Sequence, residues 1–319
     1  MQYPPPWLFD LPHSRFVNQF GDAYDLPQPG KQRGNAVFNQ AIRDRQAAYV
    51  TRIFADLGQD FFAVRLGWGY YGELNLPLHK FNGHVNCYWA FDALAQGKAQ
   101  GLPAGIPPCP RPGWVPGTRA SHRGDHRAAA QFMAWYCDAL KDWQDWQVAT
   151  VRKSYAGRLA ILYPSWGLRP GGLAAAVAHD LDGATSPEIN GETQLALDFA
   201  RLVKSIRDPQ VLVYTTWIDA NPPGTDDAGG NPARWSPARY LASLADAHSL
   251  HLSKWGENTG RGDLAAMELS VRRMRDNGMI GLMWAFESDL YDGKYATLDD
   301  FARLIRVVGS SQAAESGTH

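Results

Sequence analysis

Two glutamates in this chain sit where their chemistry would be useful. Glu73 lies in GWGYYGELNLP and Glu257 in KWGENTG, each beside a glycine and within a few residues of a tryptophan. Breaking a glycosidic bond near neutral pH takes two carboxyl groups. One protonates the leaving oxygen; the other activates water or attacks the anomeric carbon. Glutamates in aromatic, glycine-bearing loops suit that task, because indole and phenol rings stack on the apolar faces of sugar rings. The same reasoning marks Trp68, Tyr71, Trp166, Trp217, Asp219, Asn258, Trp284 and Glu287 as candidates for substrate contact. Plainer roles stand beside each: a Trp can plug a core, an acidic residue can cap a loop, and Asn258 can serve a turn. His79, His84, His122 and His126 invite a metal reading, but HExxH and a companion acidic set are both missing, so no metal site is expected. In the RGD at 261 to 263, Asp263 reads as the cap of the following helix.

The elements that must position these residues alternate. Residues 36 to 57 space Phe38, Ile42, Tyr49, Ile53 and Leu57 as one apolar stripe of a helix, after a polar PQPGKQRGN lead. Phe61 to Leu66 reads as a buried strand, with Arg65 paired inside the sheet. Residues 77 to 121 are rich in Pro, Gly, Asn and aromatics, the composition of a long loop that shapes a binding site. A helix over about 125 to 155 carries Phe132, Tyr136, Leu140 and Trp143 on one face, and a strand follows at 158 to 166. Helices at about 192 to 206, 237 to 248, 263 to 276 and 297 to 308 then alternate with strands at 210 to 217, 250 to 255 and 279 to 285.

Such alternation predicts parallel strands joined by helical crossovers. A doubly wound nucleotide-binding fold should show a GxGxxG opening a helix or a GxxxxGK[ST], and neither is present. Polar and aromatic residues instead follow each strand: WGYYGE, SWGLRPG, WIDANPPG, WGENTG and WAFESDLYDG. That is the (β/α)8 TIM-barrel pattern, whose working residues gather after the strands' C-terminal ends.

The stretch GWGYYGELNLP, then NCYWAF, the helix QFMAWYCDALKDWQDWQVATVRKSY with its strand RLAILYPSWG, and the late WGENTG resemble, in order and spacing, the β-amylases (glycoside hydrolase family 14). They are also similar to the β-galactosidase barrels of family 42. The β-amylase resemblance implies Glu73, in the G-E-L motif after a fourth strand, as general acid, and Glu257, in the G-E-N motif after a seventh, as general base. Hydrolysis would then invert the anomeric centre, whereas the family 42 resemblance implies retention with Glu257 as nucleophile. Where the β-amylases continue with R-Y-P-S-Y-P, this chain has Asn75, Leu76 and Pro77. Set beside those families, the chain is expected to be N-terminally truncated, with about five to six parallel strand-helix units and PPPWLFD or SRFVNQ as a candidate extra strand. A barrel so shortened has a rival reading as a non-catalytic carbohydrate-binding protein. Its open sheet edges would favour a homodimer.

Composition narrows the partners. The 319 residues are 45% hydrophobic and carry 31 basic against 32 acidic residues, a formal charge of -1 that supplies no field for nucleic acid or anionic lipid. An oligo- or polysaccharide is the expected ligand, with no organic cofactor. Three cysteines without CxxC spacing, no basic-then-apolar leader and no long apolar run point to a cytoplasmic protein without a membrane span. One barrel domain over 1–309 and a disordered tail over 310–319 complete the expectation.

Overall fold

A computed structural model describes residues 4–26, 32–118, 126–184 and 187–306. The expected tail, His122 and the first residue, Asp125, of the predicted 125–155 helix lie outside them. The chain divides into two units: Met1–Tyr163 with Gly167–Asp208, and Pro164–Trp166 with Pro209–His319.

In the first unit, helix α1 (Gln40–Leu57) starts where the Asn39 side chain accepts a hydrogen bond from the Ile42 N–H, and stops at Gly58. Its buried face is Ile42, Arg43, Gln46 and Val50, whereas Tyr49 and Leu57 of the expected stripe are exposed. The helix has rotated about its axis to bury a cation. Arg43 is sunk in the interior, its Nη1 2.8 Å from Asp142 Oδ2 and its other donors on the carbonyls of Ala36 and Val37. Burial lowers the guanidinium's pKa, opposed by Asp142.

Strand β1 (Ala63–Leu66) is followed by a short antiparallel hairpin, β2 (Lys80–Phe81) with β3 (His84–Val85). Helix α2 (Arg127–Arg152) leads to β4 (Arg158–Tyr163), which pairs with β1 in parallel, Val64 opposite Leu159. The predicted stripe of α2 is fully buried, at roughly 1.5–3 kcal/mol for each large apolar side chain. β1 is buried on fewer positions than a central strand, and Arg65 is exposed rather than enclosed.

Three expectations change here. PPPWLFD is no strand: its prolines fix φ, and Pro6–Asp10 forms a 3-10 turn. SRFVNQ contributes only an isolated antiparallel bridge, Val17 to Ala23. The single helix expected over 192 to 206 is two, α4 (Pro187–Gln194) and α5 (Phe199–Ser205), because Ala196 turns to a positive φ and Asp198 caps a new start at the Arg201 N–H. A helix absent from the expectation, α3 (Gly172–Ala178), precedes them. The long segment after Pro77 is partly core: Cys87, Tyr88, Trp89 and Ala90 are buried, with the Trp89 N–H groups bonded to Tyr136 Oη and the Leu78 carbonyl.

The second unit holds β5 (Val211–Thr215), β6 (Lys254–Glu257) and β7 (Leu282–Met283), parallel throughout, with Val213 opposite Lys254 and Gly256 opposite Leu282. β5 is buried along its whole length, as a parallel strand covered on both faces must be. Helix α6 (Pro237–Ala247) is capped by Ser236, and α7 (Leu264–Asp276) by Asp263, whose Oδ1 accepts the Ala266 N–H at 3.0 Å. The RGD tripeptide thus ends in a helix cap, as read. A short α8 (Ser288–Asp292) and a helical stretch over 298–306 close the described chain. No helix among the described residues is long and apolar enough to cross a membrane.

Candidate active site

Glu73 is carried by a loop folded back on itself. The segment GWGYYG has the spacing of a phosphate-binding fingerprint, yet it closes into a 3-10 turn at Tyr70–Gly72 and delivers Glu73, not a helix N-terminus. Four backbone hydrogen bonds tie the turn: Trp68 N to Gly72 O, Gly69 N to Glu73 O at 2.8 Å, Gly72 N to Gly69 O and Glu73 N to Tyr70 O. The close approach needs glycine, because a Cβ on Gly67 or Gly69 would collide with the backbone of residues 72 to 75. Trp68 and Tyr71 adopt positive φ angles of 55° and 56°, a conformation that costs non-glycine residues free energy and collects at functional sites.

Buried side chains hold this loop from outside. Gln147 on α2 clamps the Gly67 peptide, its Oε1 accepting the N–H at 2.8 Å and its Nε2 donating to the carbonyl at 3.2 Å. Asn75 Oδ1 accepts the Tyr70 N–H, and the Leu74 N–H reaches the Leu162 carbonyl on β4 at 2.8 Å. Arg33 donates from Nε to the Gly69 carbonyl and lies over the Tyr70 ring. Burial, reinforced by Tyr71, pushes the Tyr70 phenol up to about 12, so it remains a donor at neutral pH. Glu73 itself is half-buried, Tyr71 is exposed, and Trp68 packs edge-on against Trp146.

Glu257 is the last residue of β6, at the strand's C-terminal end. Its neighbour in the sheet supplies a ligand: Tyr214 on β5 donates its hydroxyl to Glu257 Oε2 at 2.8 Å, fixing the carboxylate's rotation. The loop beyond is tied in two places. Asp219 Oδ1 accepts both the N–H and the hydroxyl of Thr259, at 2.6 and 2.7 Å. Asn258, buried, accepts the Ala285 N–H at 2.6 Å and donates to the carbonyls of Gly260 and Ala285, joining the outlets of β6 and β7.

The remaining candidates divide. Trp217 and Trp166 are half-buried at strand outlets, and Glu287 is exposed at the start of α8. Trp284 belongs to the core, packed with Met267, Val271, Leu290, Ala296 and Leu304. Sequence reasoning passed over Tyr214, Gln147 and Arg33. The first sits in an apolar strand, the second on a helix and the third in a polar lead, and only their hydrogen bonds distinguish them. His84 and His126 are paired with Asp22 and Asp180, and among the described residues no three metal-ligating side chains cluster. Cys87, Cys109 and Cys137 are buried thiols.

Five parallel strands linked by helices define the α/β class, and a solved structure specifies it further. The crystal structure of the catalytic domain of the β-amylase from Paenibacillus polymyxa matches with a TM-score of 0.61 at 15% sequence identity, covering 93% of this chain and 74% of that one. The fold is therefore that of a (β/α) TIM-type barrel, with five of the expected five to six strand-helix units among the described residues. No protein-family model matches the sequence, and neither does any curated protein.

Proposed function

We propose that the chain is a glycoside hydrolase in which Glu257 and Glu73 are the working carboxylates. The observation that carries this reading is the seat of Glu257. It ends β6 at the strand terminus where barrels of this kind keep their chemistry, and a tyrosine from the adjacent strand holds one carboxylate oxygen. A carboxylate with no task would be costly to orient so closely, since fixing its rotamers forfeits entropy. The elaborate tethering of the Glu73 loop supports the same conclusion for the second group. The likeness in fold to a β-amylase catalytic domain supports a glucan or a related oligosaccharide as substrate.

In this reading Glu73 protonates the departing glycosidic oxygen while Glu257 removes a proton from the attacking water, and the product emerges with inverted configuration. Tyr214 orients Glu257, and Asn258 and Asp219 keep its loop in place. Trp68, Tyr71, Trp166 and Trp217 offer ring faces to the sugar, and Glu287 offers a carboxylate to its hydroxyls. The test is release of reducing sugar from α- and β-linked glucans and galactosides, followed by proton NMR of the first-formed product. Inverted product supports the assignment. Retained product would make Glu257 the nucleophile, and no hydrolysis of any member of the panel would favour a carbohydrate-binding barrel without turnover.

A further inference from the structure

The outlet of β7 carries a residue that local folding does not explain. Phe286 has a φ of 63°, a left-handed conformation that a bulky side chain enters only at a cost, and it is 47% exposed. Its backbone is pinned on both sides. Before it, Asn258 holds the N–H and the carbonyl of Ala285; after it, the Phe286 carbonyl accepts the Asp289 N–H at 2.9 Å and opens α8. Trp284 and Leu290, on either side in sequence, fill the core beneath. With these anchors fixed, a glycine would serve the turn at less strain. The chain instead keeps a large ring facing solvent.

A cation stands over that ring. The Arg261 guanidinium lies 5.9 Å from the Phe286 centroid, and its Nε is 3.4 Å from Oδ2 of the buried Asp289. Gly262 seats it: a Cβ at that position would stand 2.9 Å from the Ala266 Cβ and 3.1 Å from the Trp284 indole. The Arg261 side chain is 52% exposed, and its Nη donors have no hydrogen-bond partner among the described residues, so they are open to a ligand. Glu287, the residue after Phe286, is also exposed and supplies acceptors. The group adjoins Glu257, because Asn258, which follows that glutamate, is the residue gripping Ala285, and Glu257 lies opposite Met283 in the sheet.

An apolar ring with a donor and an acceptor beside it matches a pyranose, which has an apolar C–H face and hydroxyls that both donate and accept. The charges select a neutral one. Asp289 already offsets Arg261, and Glu287 and Glu257 would repel a carboxylate on the sugar. We propose that Phe286 and Arg261 form a sugar-binding subsite beside Glu257, in which one uncharged pyranose of a glycan stacks on the Phe286 ring and its hydroxyls meet Arg261 and Glu287. The subsite rests on the glycosidase reading only in taking that glycan as substrate, since binding is measured without turnover.

Isothermal titration of the full chain in a Glu73→Gln background, which keeps the Glu257 charge, tests the proposal with maltohexaose, cellohexaose and hexagalacturonate. Saturable binding of at least one neutral hexasaccharide is expected, with hexagalacturonate weaker. Adding Phe286→Ala should weaken the neutral sugar roughly tenfold, since covering the exposed half of a phenylalanine recovers about half the free energy of burying it whole. Adding Arg261→Met should also weaken it roughly tenfold, the value of one charge-assisted hydrogen bond. Phe286→Trp keeps a stacking face and should retain affinity within a few-fold of the background protein, which a merely structural role for Phe286 would not allow. Binding that falls in Phe286→Ala supports the subsite even if no glycan is hydrolysed, and hydrolysis with unchanged affinity in Phe286→Ala overturns the subsite alone. No binding of either neutral hexasaccharide, tighter binding of hexagalacturonate, unchanged affinity in Arg261→Met, or equal loss in Phe286→Trp and Phe286→Ala would also overturn it.

Discussion

Replacing Gln147 by Leu should loosen the loop that carries Glu73 while leaving its surroundings filled. The two side chains are close in volume, so little cavity is created. What is lost is a pair of hydrogen bonds at a site 1% exposed to solvent. The Gly67 N–H and carbonyl would each be stranded in the interior at about 1–3 kcal/mol, so the pair costs about 2–6 kcal/mol. If the penalty is relieved by local opening, amides of residues 67–74 should exchange with solvent roughly 30-fold faster or more. If it is carried by the whole unit, Tm should fall by roughly 4–24 °C. Hydrogen-exchange mass spectrometry and thermal unfolding of the two proteins measure both. Unchanged exchange over 67–74 together with an unchanged Tm would mean that the Gln147 clamp does not hold this loop.

Tyr214→Phe removes only the hydroxyl that meets Glu257, so kcat should fall about tenfold or more while Tm moves by no more than a few degrees; equal kcat would remove Tyr214 from the mechanism. Asp92 gives a pH-dependent prediction. Burial raises its carboxyl to about 6, above the unfolded value, so the charged form is disfavoured in the fold. The penalty is complete above that pKa and fades as pH falls through about 6 toward 4. Asp92→Asn should therefore be more stable than the parent at pH 7.5, with the advantage shrinking at pH 5. Melts showing the same difference at both values would contradict the assignment of this group.

Much of the alternation was legible because it rests on local signals. The α2 stripe, the Asp263 cap and the apolar run of β5 lie within windows of a few residues, where periodicity and capping act. What escaped depends on distant partners. The face that α1 buries is set by Arg43 meeting Asp142 across 99 positions, and a charged residue in a helical pattern reads as solvent-facing until that partner is known. The break between α4 and α5 follows from a single left-handed residue at Ala196, which propensity does not announce. The candidate site behaved similarly. Glu73 and Glu257 stood out by their glycine and tryptophan neighbours, whereas Tyr214 becomes visible only once β5 and β6 are in register, Tyr214 opposite Trp255. Asn258 was legible as important, but its amide is spent on backbone groups rather than left facing solvent.

The most direct test of the account is the pair of substitutions Glu73→Gln and Glu257→Gln, assayed on whichever glycoside the parent protein hydrolyses, with Tm recorded alongside. Each exchanges an ionisable group for a neutral one of the same shape at a half-buried position. Each should lower kcat by several orders of magnitude with Tm within a few degrees of the parent. Near-parental turnover in either folded variant would contradict the claim that these two glutamates do the chemistry.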